Sequence, residues 1–164
     1  MSDNLVLIGM PASGKSTAGV ILAKLLGMDF LDTDLLIQKK TGMKLCDLIA
    51  WKGIDGFLQT EEEVCCSIRT DHCVIATGGS VVYGKEAMTH LKAIGRIIYL
   101  SVDFPTFSKR LSSVRSRGVV LREGQSLREL YEERVPLYEA YADQTVFERG
   151  QSVEDTVSQI IEGL

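Results

Sequence analysis

Residues 9–16 read GMPASGKS, and this segment constrains the chain more than any other. It matches the pattern G-x-x-x-x-G-K-[S/T] in full, and the pattern is specific when it joins a strand to a helix. The continuous apolar run 5–8 precedes it, as expected for a strand buried on both faces of a sheet. Apolar residues at helical spacing follow it, up to a natural stop at Gly27. The sequence therefore predicts a phosphate-binding loop (P-loop) at the end of the first strand.

The chemistry of this loop predicts ATP and Mg²⁺ as ligands. Its glycines allow a sharp turn that points backbone N–H groups inward, and the N-terminus of the following helix adds partial positive charge. Lys15 can reach the β- and γ-phosphates and Ser16 can ligate Mg²⁺, and we expect the Lys15 side chain to pack against nothing without a ligand. The residues expected to bind the nucleotide are Gly9, Ala12, Ser13, Gly14, Lys15, Ser16 and Thr17.

Apolar runs alternate with helical patterns along the rest of the chain. This alternation predicts one α/β domain over residues 1–164, with a five-stranded parallel sheet flanked by helices on both faces. The predicted strands lie near residues 5–8, 30–31, 73–76, 96–100 and 145–147. Helices are predicted after the P-loop, near 33–41, 57–69 and 105–111, from Ser126, and over a final stripe of Val153, Val157, Ile160, Ile161 and Leu164.

Polar residues and glycines cluster where the predicted strands end. Asp32, Thr33 and Asp34 follow the second strand, and Gly78-Gly79 follow the third. Ligands of parallel sheets bind at the carboxyl ends of the strands, so we expect these residues to converge on the P-loop. Residues 112–124 are polar, basic and without periodicity, and we predict a mobile loop there.

The order and spacing of these segments resemble the shikimate kinase family across nearly the whole chain. A D-x-D segment follows the P-loop, and later segments match an F-R-x-x-E segment, a triple-glycine loop and an R-x-P-L-Y segment in place. The matching residues are 30–34 (FLDTD), 57–61 (FLQTE), 77–80 (TGGS), 134–138 (RVPLY), Arg110 and Arg117.

The resemblance implies an ATP-dependent kinase that phosphorylates a hydroxyl of a small carboxylate, with shikimate as the expected acceptor. It implies that Asp32 holds Mg²⁺ with Ser16, although capping of a helix is the other interpretation of Asp32. It further implies that Asp34 binds the acceptor hydroxyl and accepts its proton. The expected catalytic residues are Lys15, Asp34 and Arg117.

The resemblance also assigns the remaining site residues. Arg117 would close on the phosphates from a lid at about 112–124, and Arg110 would stack on adenine. The expected acceptor-binding residues are Asp34, Glu61, Gly78, Gly79 and Arg134.

Three positions depart from the family pattern. Leu58 stands in place of an arginine expected to hold the acceptor carboxylate, Ser80 replaces the third glycine, and Gly118 replaces a proline after the lid arginine. Glu61 without an arginine partner, together with Asp34, could attract an ammonium group, which keeps a hydroxy amino acid such as homoserine open as acceptor. A Leu58 side chain that faces the core is the other interpretation. A nucleoside or nucleotide kinase, and a nucleotide sensor without turnover, are further alternatives.

Composition bears on partners and location. The net charge of −4 disfavours nucleic acid as a partner. No secretory signal precedes the first apolar run, which is too short to span a bilayer, so we expect a cytoplasmic protein without a membrane partner. The four cysteines fit no zinc spacing. The resemblance favours a monomer.

Overall fold

A computed structural model describes residues 3–113 and 118–164. All strand pairings in its single five-stranded sheet are parallel, in the order β2-β3-β1-β4-β5, which confirms the predicted sheet. The strands are β1 (Asn4–Gly9), β2 (Asp29–Asp32), β3 (Cys73–Ala76), β4 (Gly95–Val102) and β5 (Gln144–Glu148).

Helices cover both faces of the sheet, also as predicted. They are α1 (Lys15–Leu26), α2 (Thr33–Thr41), α3 (Leu45–Cys66), α4 (Lys85–Ile94), α5 (Phe104–Ser112), α6 (Leu127–Tyr141) and α7 (Val153–Glu162), with a 3₁₀ turn at Val81–Tyr83. Among the described residues, no helix combines the length and apolar character that a membrane crossing requires.

The central strand β1 separates two apolar clusters, because successive side chains of a strand point to opposite faces. Leu5 and Leu7 pack with residues of α1 and α7 on one face. Val6 and Ile8 pack with residues of α4, α5 and α6 on the other. A third cluster joins α2 and α3 to Val120. This core holds the carboxyl end of β1, and the loop that follows it, in the middle of the sheet.

Helix boundaries follow local capping chemistry where the sequence predicts them. Gly27 ends α1 in the left-handed region at φ 68°. Ser126 caps α6 by accepting a hydrogen bond from the Glu129 backbone, and Ser152 with Asp155 forms a capping box at α7. The predicted stripe of α7 is correct for Val157 and Ile160, which are buried, but Ile161 and Leu164 are exposed.

Two helices differ from the sequence prediction. The helix predicted at 57–69 begins twelve residues earlier, at Leu45, and ends at Cys66. It is interrupted at Gly53, whose φ of 74° and ψ of 173° are not helical, so its two halves lack one continuous periodicity. Helix α4 is missing from the prediction, although it buries Ala87, Met88 and Leu91 along one face.

Candidate active site

A cavity of about 380 Å³ lies at the carboxyl ends of the strands. Its lining includes most of the predicted site: Ala12, Ser13, Gly14, Lys15, Ser16, Thr17, Asp34, Glu61, Gly78, Gly79, Arg110 and Arg134. Gly9 and Asp32 support it from β1 and β2. Arg117 lies outside the described residues. The expected convergence of the strand ends on the P-loop is therefore found: Asp34, Gly78 and Gly79 line the same cavity as the loop, and Asp32 is bonded to Ser16.

The backbone of the P-loop depends on glycine at its first position. Gly9 has φ 151°, and a Cβ atom there would lie 2.6 Å from the Leu100 carbonyl oxygen. Any side chain would push the loop away from β4. Gly14, the residue immediately before α1, has φ 89°, and Ala12 also has a positive φ, of 60°. This turn places the first backbone N–H groups of α1 at the cavity.

Lys15 is held inside the loop by protein oxygens. Its ammonium donates hydrogen bonds to the carbonyls of Gly9 (2.9 Å) and Met10 (2.8 Å) and to Ser13 Oγ (3.2 Å). Burial lowers the pKa of Lys15 to about 8, with the charge of Asp34 opposing the shift. The expectation that this side chain contacts nothing without a ligand was wrong, because a buried ammonium needs acceptors when no phosphate supplies them.

Ser16 and Asp32 form one polar pair beside the loop. The Ser16 hydroxyl donates to Asp32 Oδ2 at 2.7 Å. The other oxygen of Asp32 accepts hydrogen bonds from the backbone of Asp34 (2.9 Å) and Leu35 (3.2 Å) and so caps α2. Both interpretations of Asp32 are therefore compatible, since capping uses Oδ1 and leaves Oδ2 at Ser16.

Asp34 lies in the first turn of α2 and lines the cavity. Burial, assisted by the nearby charge of Asp32, raises its pKa to about 6, while Lys15 opposes the shift. A carboxylate with this pKa is ionised at neutral pH and still basic enough to accept a proton from a hydroxyl.

Glu61 and Ser80 face each other across the cavity wall. Ser80 Oγ donates to Glu61 Oε1 at 2.7 Å, and both residues are buried. Among the described residues, Glu61 Oε2 has no hydrogen-bond partner. Burial raises the pKa of Glu61 to about 7, against the Ser80 hydrogen bond, which favours the charged form.

Arg134 is fully buried under the cavity, whereas Leu58 is not part of its wall. The guanidinium of Arg134 donates to the Val120 carbonyl (2.7 Å) and to Tyr83 Oη (3.3 Å). Leu58 packs, half-buried, against the third apolar cluster and is not among the described residues that line the cavity. The position after Phe57 therefore contributes to packing here.

Arg110 connects the cavity to a second one. Its guanidinium makes a bidentate ion pair with Glu148 (2.9 and 2.5 Å) and donates to the Ala12 carbonyl at 3.4 Å. The second cavity, also about 380 Å³, is lined by Ala12, Ser13, Gly14, Thr17, Ala18, Arg110, Glu148, Gln151, Val153 and Thr156. Sequence reasoning missed Glu148, although an acidic residue at the end of a predicted strand is a usable signal.

The predicted lid at about 112–124 begins within α5, whose last residue is Ser112, and its residues 118–124 run beside α3. Val120 is buried in the third apolar cluster. Gly118 has φ 76°, a value that proline cannot adopt, and its Cβ position would lie 2.8 Å from Leu45 Cβ. Arg122 pairs with Asp55 at 3.2 Å on the surface. The remaining lid positions, 114–117, lie outside the described residues.

A parallel sheet in this order, with a complete P-loop and an aspartate at the next strand end, defines the class as ATP-dependent P-loop kinases that phosphorylate small molecules. Comparisons with known proteins give the family. The family model described as "Shikimate kinase" matches residues 11–164. The chain belongs to the shikimate kinase family.

Relatives and solved structures agree with this assignment. The shikimate kinase of Thiobacillus denitrificans is 38% identical over 155 residues, 92% of this chain and 84% of that protein. That of Thermodesulfovibrio yellowstonii is 37% identical over 161 residues, 96% of this chain and 92% of its own. The Acinetobacter baumannii shikimate kinase, solved in complex with shikimate, superposes with a TM-score of 0.89 at 30% identity and covers 99% of this chain and 92% of that one.

Proposed function

We propose that this protein transfers the γ-phosphoryl group of ATP to a hydroxyl of shikimate, giving shikimate 3-phosphate and ADP. The observation that carries the proposal is one cavity in which Lys15 of the P-loop, Asp34 and Arg134 meet. Lys15 supplies a positive charge for the phosphates, Asp34 a base for the reacting hydroxyl and Arg134 a positive charge for a carboxylate. Phosphoryl transfer from ATP to a hydroxylated carboxylate needs all three groups.

On the nucleotide side, the P-loop amides and Lys15 bind the phosphates. Lys15 exchanges its bonds to the Gly9 and Met10 carbonyls for bonds to phosphate oxygens, which carry more negative charge than carbonyls. Arg110 contacts the base from the second cavity, and Arg117 adds positive charge from the lid at about 112–124. Charge neutralisation of this kind accounts for most of the rate of phosphoryl transfer.

Ser16 and Asp32 fit a magnesium ion. Ser16 Oγ and Asp32 Oδ2 lie next to each other beside the P-loop and are exposed, and oxygen atoms are the ligands that Mg²⁺ prefers. Mg²⁺ bound there would neutralise charge on the β- and γ-phosphates of ATP. Asp32 keeps its cap on α2 through its other oxygen.

On the acceptor side, Asp34 orients the reacting hydroxyl and accepts its proton. The hydroxyl oxygen forms the new bond to the γ-phosphorus as the bond between that phosphorus and the ADP oxygen breaks. Gly78 and Gly79 allow the acceptor to approach the backbone closely, since a Cβ atom at Gly78 would lie 2.8 Å from Asp34 Oδ1. Arg134, with guanidinium N–H groups remaining beyond its bonds to Val120 and Tyr83, binds the carboxylate.

Release of ADP with a panel of acceptors tests the proposal. The panel contains shikimate, quinate, homoserine, gluconate and a nucleoside monophosphate. We expect shikimate to give the largest kcat/KM. A preference for homoserine would assign a hydroxy amino acid instead, and ATP binding without turnover on any acceptor would indicate a nucleotide sensor. We further propose that the enzyme acts as a cytoplasmic monomer and that it has no nucleic-acid partner, which its net charge of −4 disfavours.

A further inference from the structure

We propose that Tyr83 is a positioning residue: together with Glu133 it orients Arg134 so that the guanidinium can bind the acceptor carboxylate. Tyr83 ends the 3₁₀ turn Val81–Tyr83, a few residues after Gly78 and Gly79, and is not among the described residues that line the cavity. It therefore acts through Arg134. The inference rests on the proposed function, because it requires an acceptor that carries a carboxylate.

The first argument is that the carboxylate depends on one described cation. The described cations that line the cavity are Lys15, Arg110 and Arg134. Lys15 belongs to the P-loop, and Arg110 reaches the second cavity beside that loop, so both lie on the nucleotide side. Leu58, at the position where a second arginine is expected, packs outside the cavity. The orientation of Arg134 therefore decides how well a carboxylate is bound, since two parallel hydrogen bonds require the correct plane.

The second argument is the set of contacts between Tyr83 and Arg134. Arg134 is fully buried, and its Nε donates to Tyr83 Oη at 3.3 Å while its Nη2 donates to the Val120 carbonyl at 2.7 Å. The guanidinium carbon also lies 5.2 Å from the centre of the Tyr83 ring, within range of a cation–π contact. Two hydrogen bonds from different nitrogens fix the plane of a guanidinium. Tyr83 thus helps to set the direction of the remaining N–H groups, which are the ones available to a carboxylate.

The third argument is a carboxylate on the far side of Tyr83. The Tyr83 hydroxyl donates a hydrogen bond to Glu133 Oε1, and Gln125 donates to the other oxygen of Glu133 at 3.3 Å. A hydroxyl that donates to a carboxylate becomes a stronger acceptor for a second donor, so Glu133 strengthens the bond from Arg134. Burial, with the hydrogen bond to Glu133, raises the pKa of the Tyr83 phenol, which therefore stays protonated. A direct ion pair with Glu133 would instead occupy N–H groups that the acceptor needs.

The test compares variants on two acceptors, shikimate and an analogue in which a hydroxymethyl group replaces the carboxylate. With shikimate, Tyr83→Phe, which keeps the ring and removes the hydroxyl, should raise KM about three- to tenfold, the range for loss of one hydrogen bond. Turnover should stay within about twofold of the parent, because Tyr83 does not act on the transferring phosphoryl group. With the analogue, kcat/KM should change by less than about twofold, because the carboxylate contact is already absent. KM for ATP should not change.

A second variant tests the part played by Glu133. Glu133→Gln should raise KM for shikimate less than Tyr83→Phe does, with the same dependence on the acceptor. The double variant should be no worse than Tyr83→Phe alone, because Glu133 acts through the Tyr83 hydroxyl. Two matched controls should leave both acceptors unaffected: Tyr141→Phe, at a half-buried tyrosine that ends the helix of Arg134, and Glu132→Gln, at an exposed carboxylate paired with Arg128.

The possible outcomes separate positioning from a structural role. Equal losses with both acceptors, or a rise in KM for ATP that matches the rise for shikimate, would overturn the inference and make Tyr83 a structural residue. A parental KM for shikimate in Tyr83→Phe would also overturn it. Additive losses in the double variant would overturn the role of Glu133. No turnover of shikimate by the parent enzyme would refute the proposed function itself, before any variant is compared.

Discussion

The Ser16 hydroxyl donates a 2.7 Å hydrogen bond to Asp32 Oδ2, which joins the first turn of α1 to the residue that caps α2. The pair brings two residues sixteen positions apart to one point beside the phosphate loop. Asp32 therefore has two separable roles, one for each carboxyl oxygen, and substitutions can distinguish them.

Asp32→Asn should keep the cap and impair the chemistry. Asparagine caps helices as well as aspartate does, so the thermal unfolding temperature should stay close to that of the parent. The lost negative charge should raise the Mg²⁺ concentration needed for half-maximal turnover and lower turnover at least about tenfold. Asp32→Ala should show the same kinetic loss and also lower the free energy of unfolding by about 1 kcal/mol. Parental Mg²⁺ dependence in Asp32→Asn would remove Asp32 from the metal site.

Lys15→Ala should lower turnover at least about a hundredfold, the scale for removal of one charge partner of the transition state. The far-ultraviolet circular dichroism spectrum should be unchanged, because the sheet does not depend on this side chain. Lys24→Ala is the matched control, since Lys24 is exposed in the last turn of the same helix. Turnover of Lys15→Ala within about threefold of the parent would contradict the proposed role of the P-loop.

The pH dependence of kcat/KM should be bell-shaped. Asp34 must be ionised to accept a proton, and its pKa is raised to about 6, so kcat/KM should fall as the pH drops through about 6. Lys15 must be charged, and its pKa is lowered to about 8, so kcat/KM should also fall as the pH rises through about 8. In kcat the alkaline limb should move to higher pH, because bound phosphate favours charged Lys15. Rates measured from pH 5 to 9.5 check both limbs.

Gly118→Ala should impair the enzyme more than Gly124→Ala. Both glycines have a positive φ, 76° and 75°, so replacement by alanine should strain the backbone equally at each, by about 1 kcal/mol. Only Gly118 also meets neighbours, since its Cβ would lie 2.8 Å from Leu45 Cβ and 3.0 Å from the Cys46 nitrogen. Unfolding temperatures and turnover of the two variants isolate the contact between lid and α3. Equal effects would show that this contact contributes nothing.

Glu148→Ala should raise KM for ATP several-fold, because Arg110 then loses the bidentate partner that holds it between the two cavities. KM for the acceptor should not change, since Glu148 lines only the second cavity. The double variant with Arg110→Ala should be no worse than Arg110→Ala alone, since both remove one interaction. Additive losses would show that Glu148 acts independently of Arg110.

Local patterns in the sequence were sufficient for the P-loop, the five strands, the end of α1 at Gly27 and the start of α6 at Ser126. They were insufficient at α3, because Gly53 breaks the helical periodicity on which the prediction depended. The expected convergence of Asp34 with the P-loop was also correct, since parallel strands bring their carboxyl ends to one edge.

The sequence by itself determined the phosphate loop, the order of strands and helices along the chain, and the family. Only the tertiary structure decided which side chains face each other: Ser80 with Glu61 across 19 residues, and Arg110 with Glu148 across 38. It also placed Leu58 against the third apolar cluster and the Lys15 ammonium on the carbonyl oxygens of Gly9 and Met10. The physical reason is the separation along the sequence over which the interactions act. Motifs and caps depend on residues a few positions apart, whereas these contacts depend on how separate helices and strands pack together.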